Sequence, residues 1–182
     1  MIFEAGEGTI AFKQPVWGLD VSDYTADSIG IFDGCLGLET LSLSDRVTYI
    51  PEYCFQNCTS LRVFDSSRAI TEIRRYAFSG CTSLDTLRLS PLTERIGERA
   101  FQNCTALEVV TLQHNTFLEK EAFNGCTNIE RIIIPQTVNV AISNVPFINT
   151  YDATIVCAAN SKGEEYAKAF NAPLNIQIFS TA

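Results

Sequence analysis

Phe32, Phe55, Phe78, Phe101 and Phe123 stand 23, 23, 23 and 22 residues apart, and Cys35, Cys58, Cys81, Cys104 and Cys126 keep nearly the same step. No other feature of the chain constrains its fold as strongly. Counting from each cysteine, the third residue is Leu38, Leu61, Leu84, Leu107 or Ile129, and the sixth is Leu41, Phe64, Leu87, Val110 or Ile132. The eighth is Leu43, Ser66, Leu89, Leu112 or Ile134, so Ser66 alone breaks the apolar columns. A unit this short cannot bury such positions by itself. It buries them against the next copy, so the chain reads as a solenoid with one repeat per coil.

Within a coil, the alternating apolar residues of "LETLSL" or "LDTLRL" point inward from a short strand. Strands of successive coils then stack into one parallel sheet, about 4.8 Å apart. Val47, Ile50, Ile70, Ile73 and Ile96 line the far wall ahead of a turn such as "GERAF", read as a short helical turn that the phenylalanine closes. Before each cysteine stands Gly34, Asn57, Gly80, Asn103 or Gly125, residue types that adopt positive φ most cheaply; they reverse the chain as a C-cap. The expected fold class is an α/β repeat solenoid, a right-handed coil with the parallel sheet on one face and short helical turns on the other.

The cysteine at the corner reads as a small buried side chain that bonds a backbone carbonyl. Parallel side chains cannot reach the disulfide dihedral near 90° without distorting two coils, so free thiols are expected. Cys54 takes the slot of Ala77, Ala100 and Ala122, Cys157 lies in the strand-like "TIVCAA", and His114, the single histidine, falls in a loop. Cys54-x-x-x-Cys58 is a weak metal spacing with no histidine nearby, and no cysteine or serine–acid pair is placed to use His114, so no catalytic residue, metal or cofactor is expected.

The net charge of −8 disfavours phosphate polymers and anionic lipid. Seven arginines between Arg62 and Arg99 share that stretch with five acids, so a nucleic-acid partner is not expected. Glu39, Arg62 and Asp85 align on successive coils, as do Glu52, Arg75, Glu98 and Lys120, and these suggest cross-coil charge ladders. No apolar run approaches the roughly 18 to 20 residues of a membrane span. The opening "MIFEAGEGTIAFKQ" has neither a basic n-region nor an apolar h-region. "NCT" at Asn57 and Asn103 matches a glycosylation sequon, but Gly at the equivalent positions points to a conformational role.

The L-x-x-L-x-L core is that of a leucine-rich repeat, and "AFSGCTSLDTLRLSPLTERIGERAF" resembles the BspA-like bacterial class. That class looks like Cys-x-x-Leu-x-x-Ile-x-Ile-Pro followed by Val-x-x-Ile-Gly-x-x-Ala-Phe. The chain departs from it in keeping the proline only at Pro135 and in one short coil. The resemblance implies a non-enzymatic protein-recognition or adhesion module of a secreted or surface bacterial protein, extracellular or on the cell surface. The alternative is a cytoplasmic interaction scaffold of the same fold.

Five coils are expected over residues 29–150, with a cap or degenerate repeat at 1–28 containing "TIAF" and "GLDV" as strands. A strand-helix cap is expected at 151–182, where Ser161 and Glu164 have capping-box spacing and Tyr166 and Phe170 share a helical face. The outward strand positions nominate a protein-binding patch of Val63, Asp65, Thr86, Arg88, Val109, Thr111, Arg131 and Ile133, because interfaces combine apolar anchors with arginine. The same positions also suit a merely solvated sheet of good strand formers. The partner is a protein, no membrane insertion is expected, and a monomer is favoured.

Overall fold

The computed structural model describes residues 30, 32–43, 47–66, 68–135, 144–150, 153–169 and the backbone of 176–179. The cap expected at 1–28 and its strands lie outside the described residues, as does Phe170. The strands are β1 Thr40–Ser42, β2 Tyr49–Ile50, β3 Val63–Asp65, β4 Glu72–Ile73, β5 Thr86–Arg88, β6 Arg95–Ile96, β7 Val109–Thr111, β8 Phe117–Leu118, β9 Arg131–Ile134, β10 Thr154–Ala158 and β11 Ile176–Phe179. Every pairing is parallel and joins one coil to the next, as the repeat requires. The front wall holds β1, β3, β5, β7, β9, β10 and β11, and the back wall holds β2, β4, β6 and β8.

The core is the stack of identical positions. Leu38, Leu61, Leu84, Leu107 and Ile129 are buried, as are Leu41, Phe64, Val110 and Ile132. Phe32, Phe55, Phe78, Phe101, Phe123 and Phe147 stack face to face with centroids 5.1–5.2 Å apart. Each such pair adds about 0.5–1.5 kcal/mol beyond the area it buries. Tyr166 meets Phe147 edge-on at 6.0 Å, so the helix α1 (Lys162–Ala169) closes the stack. Its first turn has the anticipated box: the Glu164 amide donates to Ser161 Oγ at 3.3 Å, and the Glu164 carboxylate accepts from the Asn160 amide at 2.6 Å.

Three features differ from the sequence reading. The expected helical turns do not form at the four corners of Tyr53, Tyr76, Arg99 and Glu121, where φ of 53–57° interrupts right-handed winding. Between each of these and the Asn or Gly four places on, the amides alternate. Those of Tyr53, Phe55 and Asn57 donate to the next coil at 2.8–3.0 Å, while those of Cys54, Gln56 and Cys58 close local turns at 3.1–3.4 Å. That corner is a third inter-coil ladder.

The front wall is also two sheets rather than one, since β5 and β7 lie side by side without pairing. At this point Leu87, the inward residue of β5, is only half-buried, whereas Phe64 and Val110 are buried. One coil earlier, Ser66 stands in the inward column otherwise filled by Leu43, Leu89, Leu112 and Ile134, its buried hydroxyl unbonded among the described residues.

The charge columns pair differently as well. Arg62 reaches Asp85 at 3.5 Å, but Arg75 pairs with neither Glu52 nor Glu98. Glu98 and Lys120 turn instead to Arg99 and Glu121, one residue away.

Candidate functional site

Positive φ at Gly34, Asn57, Gly80, Asn103 and Gly125 is 57–78°, as their residue types led us to expect. The alternation of Gly with Asn has a steric cause: a Cβ on Gly80 would lie 2.6 Å from Asn57 Oδ1, and one on Gly125 would lie 2.3 Å from Asn103 Oδ1. Each Asn therefore lies over a Gly of the next coil.

The reversal places the following thiol against the coil before it. Cys58, Cys81, Cys104 and Cys126 donate to the carbonyls of Phe32, Phe55, Phe78 and Phe101 at 3.0–3.2 Å. Burial, and secondarily neighbouring thiols, pushes Cys54 up to about 12, burial raises Cys58 to about 12, and burial pushes the Cys81 and Cys104 thiols up as well. A buried thiol held in its protonated form is a poor nucleophile and a poor metal ligand. Among the described residues no group of three or more His, Cys, Asp or Glu side chains is placed to hold a metal ion.

Of the eight nominated contact residues, β3 and β5 bring Val63 opposite Thr86 and Asp65 opposite Arg88, where the last two form an exposed ion pair at 3.1 Å. β7 and β9 bring Val109 opposite Arg131 and Thr111 opposite Ile133. The two quartets fall on separate sheets. The C-terminal quartet continues onto β10, where Thr154 pairs with Arg131 and Val156 with Ile133. Val109, Ile133 and Val156 are half-buried and Arg131 is exposed, so this half offers an apolar strip beside a guanidinium. Thr154 and Val156 were missed because Asn149 stands where the coil's cysteine would start the count, although β10 lies one period of 23 beyond β9.

A second group, which includes Arg99, was not among the nominated contact residues. Tyr53, Tyr76, Arg99 and Glu121 occupy one column on the turn corner, four places before Asn57, Gly80, Asn103 and Gly125, and all are half-exposed. The Tyr53 and Tyr76 rings stack at 5.3 Å with 7° between planes. Arg99 donates to Tyr76 Oη at 2.6 Å and to Glu121 at 2.7 Å, and these contacts hold the Glu121 carboxyl below its usual range. The signal lay in the period, since Gly30 heads the same column. Unrelated residue types hid it.

Residues 28–154 match the model for the BspA-type leucine-rich repeat region in six copies. The chain belongs to that family. Among solved structures this BspA-type chain is similar to a leucine-rich cell surface protein from Faecalibacterium prausnitzii at 21% identity and TM-score 0.62, covering 77% of this chain and 36% of that one. It is also similar to a leucine-rich repeat protein from Bacteroides ovatus at 23% identity and TM-score 0.61, covering 83% and 39%. The pneumococcal vaccine antigen PcpA follows at 12% identity and TM-score 0.62, covering 79% and 42%. At these identities the likeness is one of fold, and the chain spans only about two fifths of the length of each structure. No curated protein sequence matches it.

Proposed function

We propose that this chain is a non-enzymatic protein-recognition segment of a secreted or cell-surface bacterial protein, used in adhesion. It is wound as a right-handed coil, with residues 1–28 and 151–182 capping the repeats of 29–150. The observation that carries the reading is the front wall, where half-buried Val109, Ile133 and Val156 lie beside exposed Arg131. Apolar anchors beside arginine are what protein interfaces select. The printed description of the Faecalibacterium neighbour as a cell surface protein supports the location. Among the described residues no helix is long and apolar enough to cross a membrane, so a surface position would depend on chain or anchoring outside them.

The contact residues proposed are Val63, Asp65, Thr86, Arg88, Val109, Thr111, Arg131 and Ile133. Protease shaving of intact source cells should release peptides of this chain, whereas protection until lysis would return the intracellular scaffold reading. With a partner captured on the wild-type chain, Arg88→Glu and Ile133→Asp should each weaken binding by more than about 1 kcal/mol with melting nearly unchanged. Wild-type affinity in both variants would remove the front wall from the reading.

A further inference from the structure

Tyr53, Tyr76, Arg99 and Glu121 hold φ of 57°, 54°, 53° and 57°. For an L residue that region costs roughly 1–2 kcal/mol, and such strain persists where a side chain is needed at the position. Four residues on, the same chain meets the same φ with Gly or Asn. At the turn corner it does not, and the side chains retained there are half-exposed rather than core-filling.

Their arrangement shows what they offer. The Arg75 guanidinium lies over both tyrosine rings, 5.8 Å from the Tyr53 centroid and 5.2 Å from that of Tyr76. Tyr76 is flanked by Tyr53 on one side and by Arg99 at 5.8 Å on the other, so its faces are covered and its hydroxyl edge is what it presents. Because Tyr76 Oη accepts from Arg99, its own hydrogen is left to donate. Arg99 is committed to Glu121 and Glu98.

Arg75 differs: it is exposed, and among the described residues no carboxylate lies within ion-pair distance of it. Glu52, one coil earlier in the same column, is exposed, yet the guanidinium rests on the rings. The corner therefore presents hydrogen-bond donors and one guanidinium that has no ion-pair partner among the described residues. Inter-coil bonds from the Tyr53 amide to the Arg75 carbonyl and from the Tyr76 amide to the Glu98 carbonyl, both 3.0 Å, hold the backbone in place, so little ordering remains for binding.

We propose that the Tyr53, Arg75 and Tyr76 corner is a second docking surface, which takes a carboxylate-bearing segment of a protein partner through Arg75 and the two tyrosine hydroxyls. Planar guanidinium matches carboxylate in a paired, charge-assisted hydrogen bond, and Tyr and Arg are the residues that dominate interface energetics. The proposal is independent of the front wall.

A phage-displayed random dodecapeptide library, panned on the folded chain at about 0.15 M salt, tests it. The expected result is enrichment of Asp and Glu, with selected peptides binding Arg75→Gln at least about tenfold more weakly. Arg75→Lys, which keeps the charge, should be intermediate, Tyr76→Phe should lose a few-fold, and Lys162→Gln, exposed on the cap helix, should bind as wild type. Failure to select any peptide, selection without acidic enrichment, or wild-type affinity in Arg75→Gln overturns the proposal. So does at least tenfold tighter binding when phosphoserine replaces the selected acid, which would assign the corner to phosphate.

Discussion

Two columns of this solenoid share one backbone conformation and differ in almost everything else. At Gly34, Asn57, Gly80, Asn103 and Gly125 positive φ is met by the residues that adopt it most cheaply, and the column serves the backbone: it turns the chain and brings each thiol to a carbonyl. At Tyr53, Tyr76, Arg99 and Glu121 the same φ is met by residues that resist it, with rings stacked, guanidinium bonded and side chains half in solvent. The difference teaches that one dihedral repeated at a fixed step is not one function repeated. A column filled with conformationally cheap residues is scaffold, and a column filled against its conformational preference carries something in its side chains.

The largest effect expected is on the ring that both columns enclose. Phe101 sits between Arg99 and Asn103, fully buried, stacked on Phe78 at 5.2 Å and Phe123 at 5.1 Å. Phe101→Ala should cost about 3–5 kcal/mol in denaturant melts, since the neighbouring coils cannot close the gap without breaking the ladder. A loss below about 1 kcal/mol would mean that the stack is not the common support of the two columns.

Next is the scaffold column itself. Gly80→Ala should destabilise by about 1–3 kcal/mol, because its φ is 78° and the new methyl would meet Asn57 Oδ1 at 2.6 Å. In an Asn57→Gly background the steric part vanishes and only the dihedral part should remain. Equal losses in both backgrounds would remove the interlock between Asn and Gly.

A smaller effect concerns the thiols that this column positions. Cys54 and Cys58 are pushed up to about 12, whereas an unfolded thiol titrates near about 8.5. A folded value above the unfolded one gives stability that is complete below pH ~8.5 and is lost as pH rises towards the folded value. Melting temperature should therefore fall between about pH 8.5 and 12, and more steeply in wild type than in Cys58→Ala. Identical slopes would count against the buried, protonated state.

How much of this was legible follows the same division. Apolar positions, the stacked phenylalanines, the Gly and Asn reversals and the Ser161 box were readable, since in each the residue type states its own physical reason. The non-helical corner was not, because it rests on positive φ at two tyrosines, an arginine and a glutamate, types that predict the opposite. Nor was the break between β5 and β7 anticipated, since Leu87 and Val110 keep the apolar column across it. For the charges, alignment of Glu52, Arg75 and Glu98 was readable, but π-contact outcompeted the ion pair. The nominated patch needed strand positions, which the period supplies, and lacked β10, which lies one further period on but without the cysteine that marks its coil.

The most direct test of the account is the melting of the Tyr53→Asn/Tyr76→Asn double variant. Asn tolerates the left-handed region and removes both rings, so relief of strain should offset the loss of a stacked pair worth about 0.5–1.5 kcal/mol. The account predicts stability within about 1 kcal/mol of wild type, because these side chains are held for a partner rather than for the fold. A loss of about 3 kcal/mol or more would contradict it, making the tyrosine column structural cement like the phenylalanines beneath it.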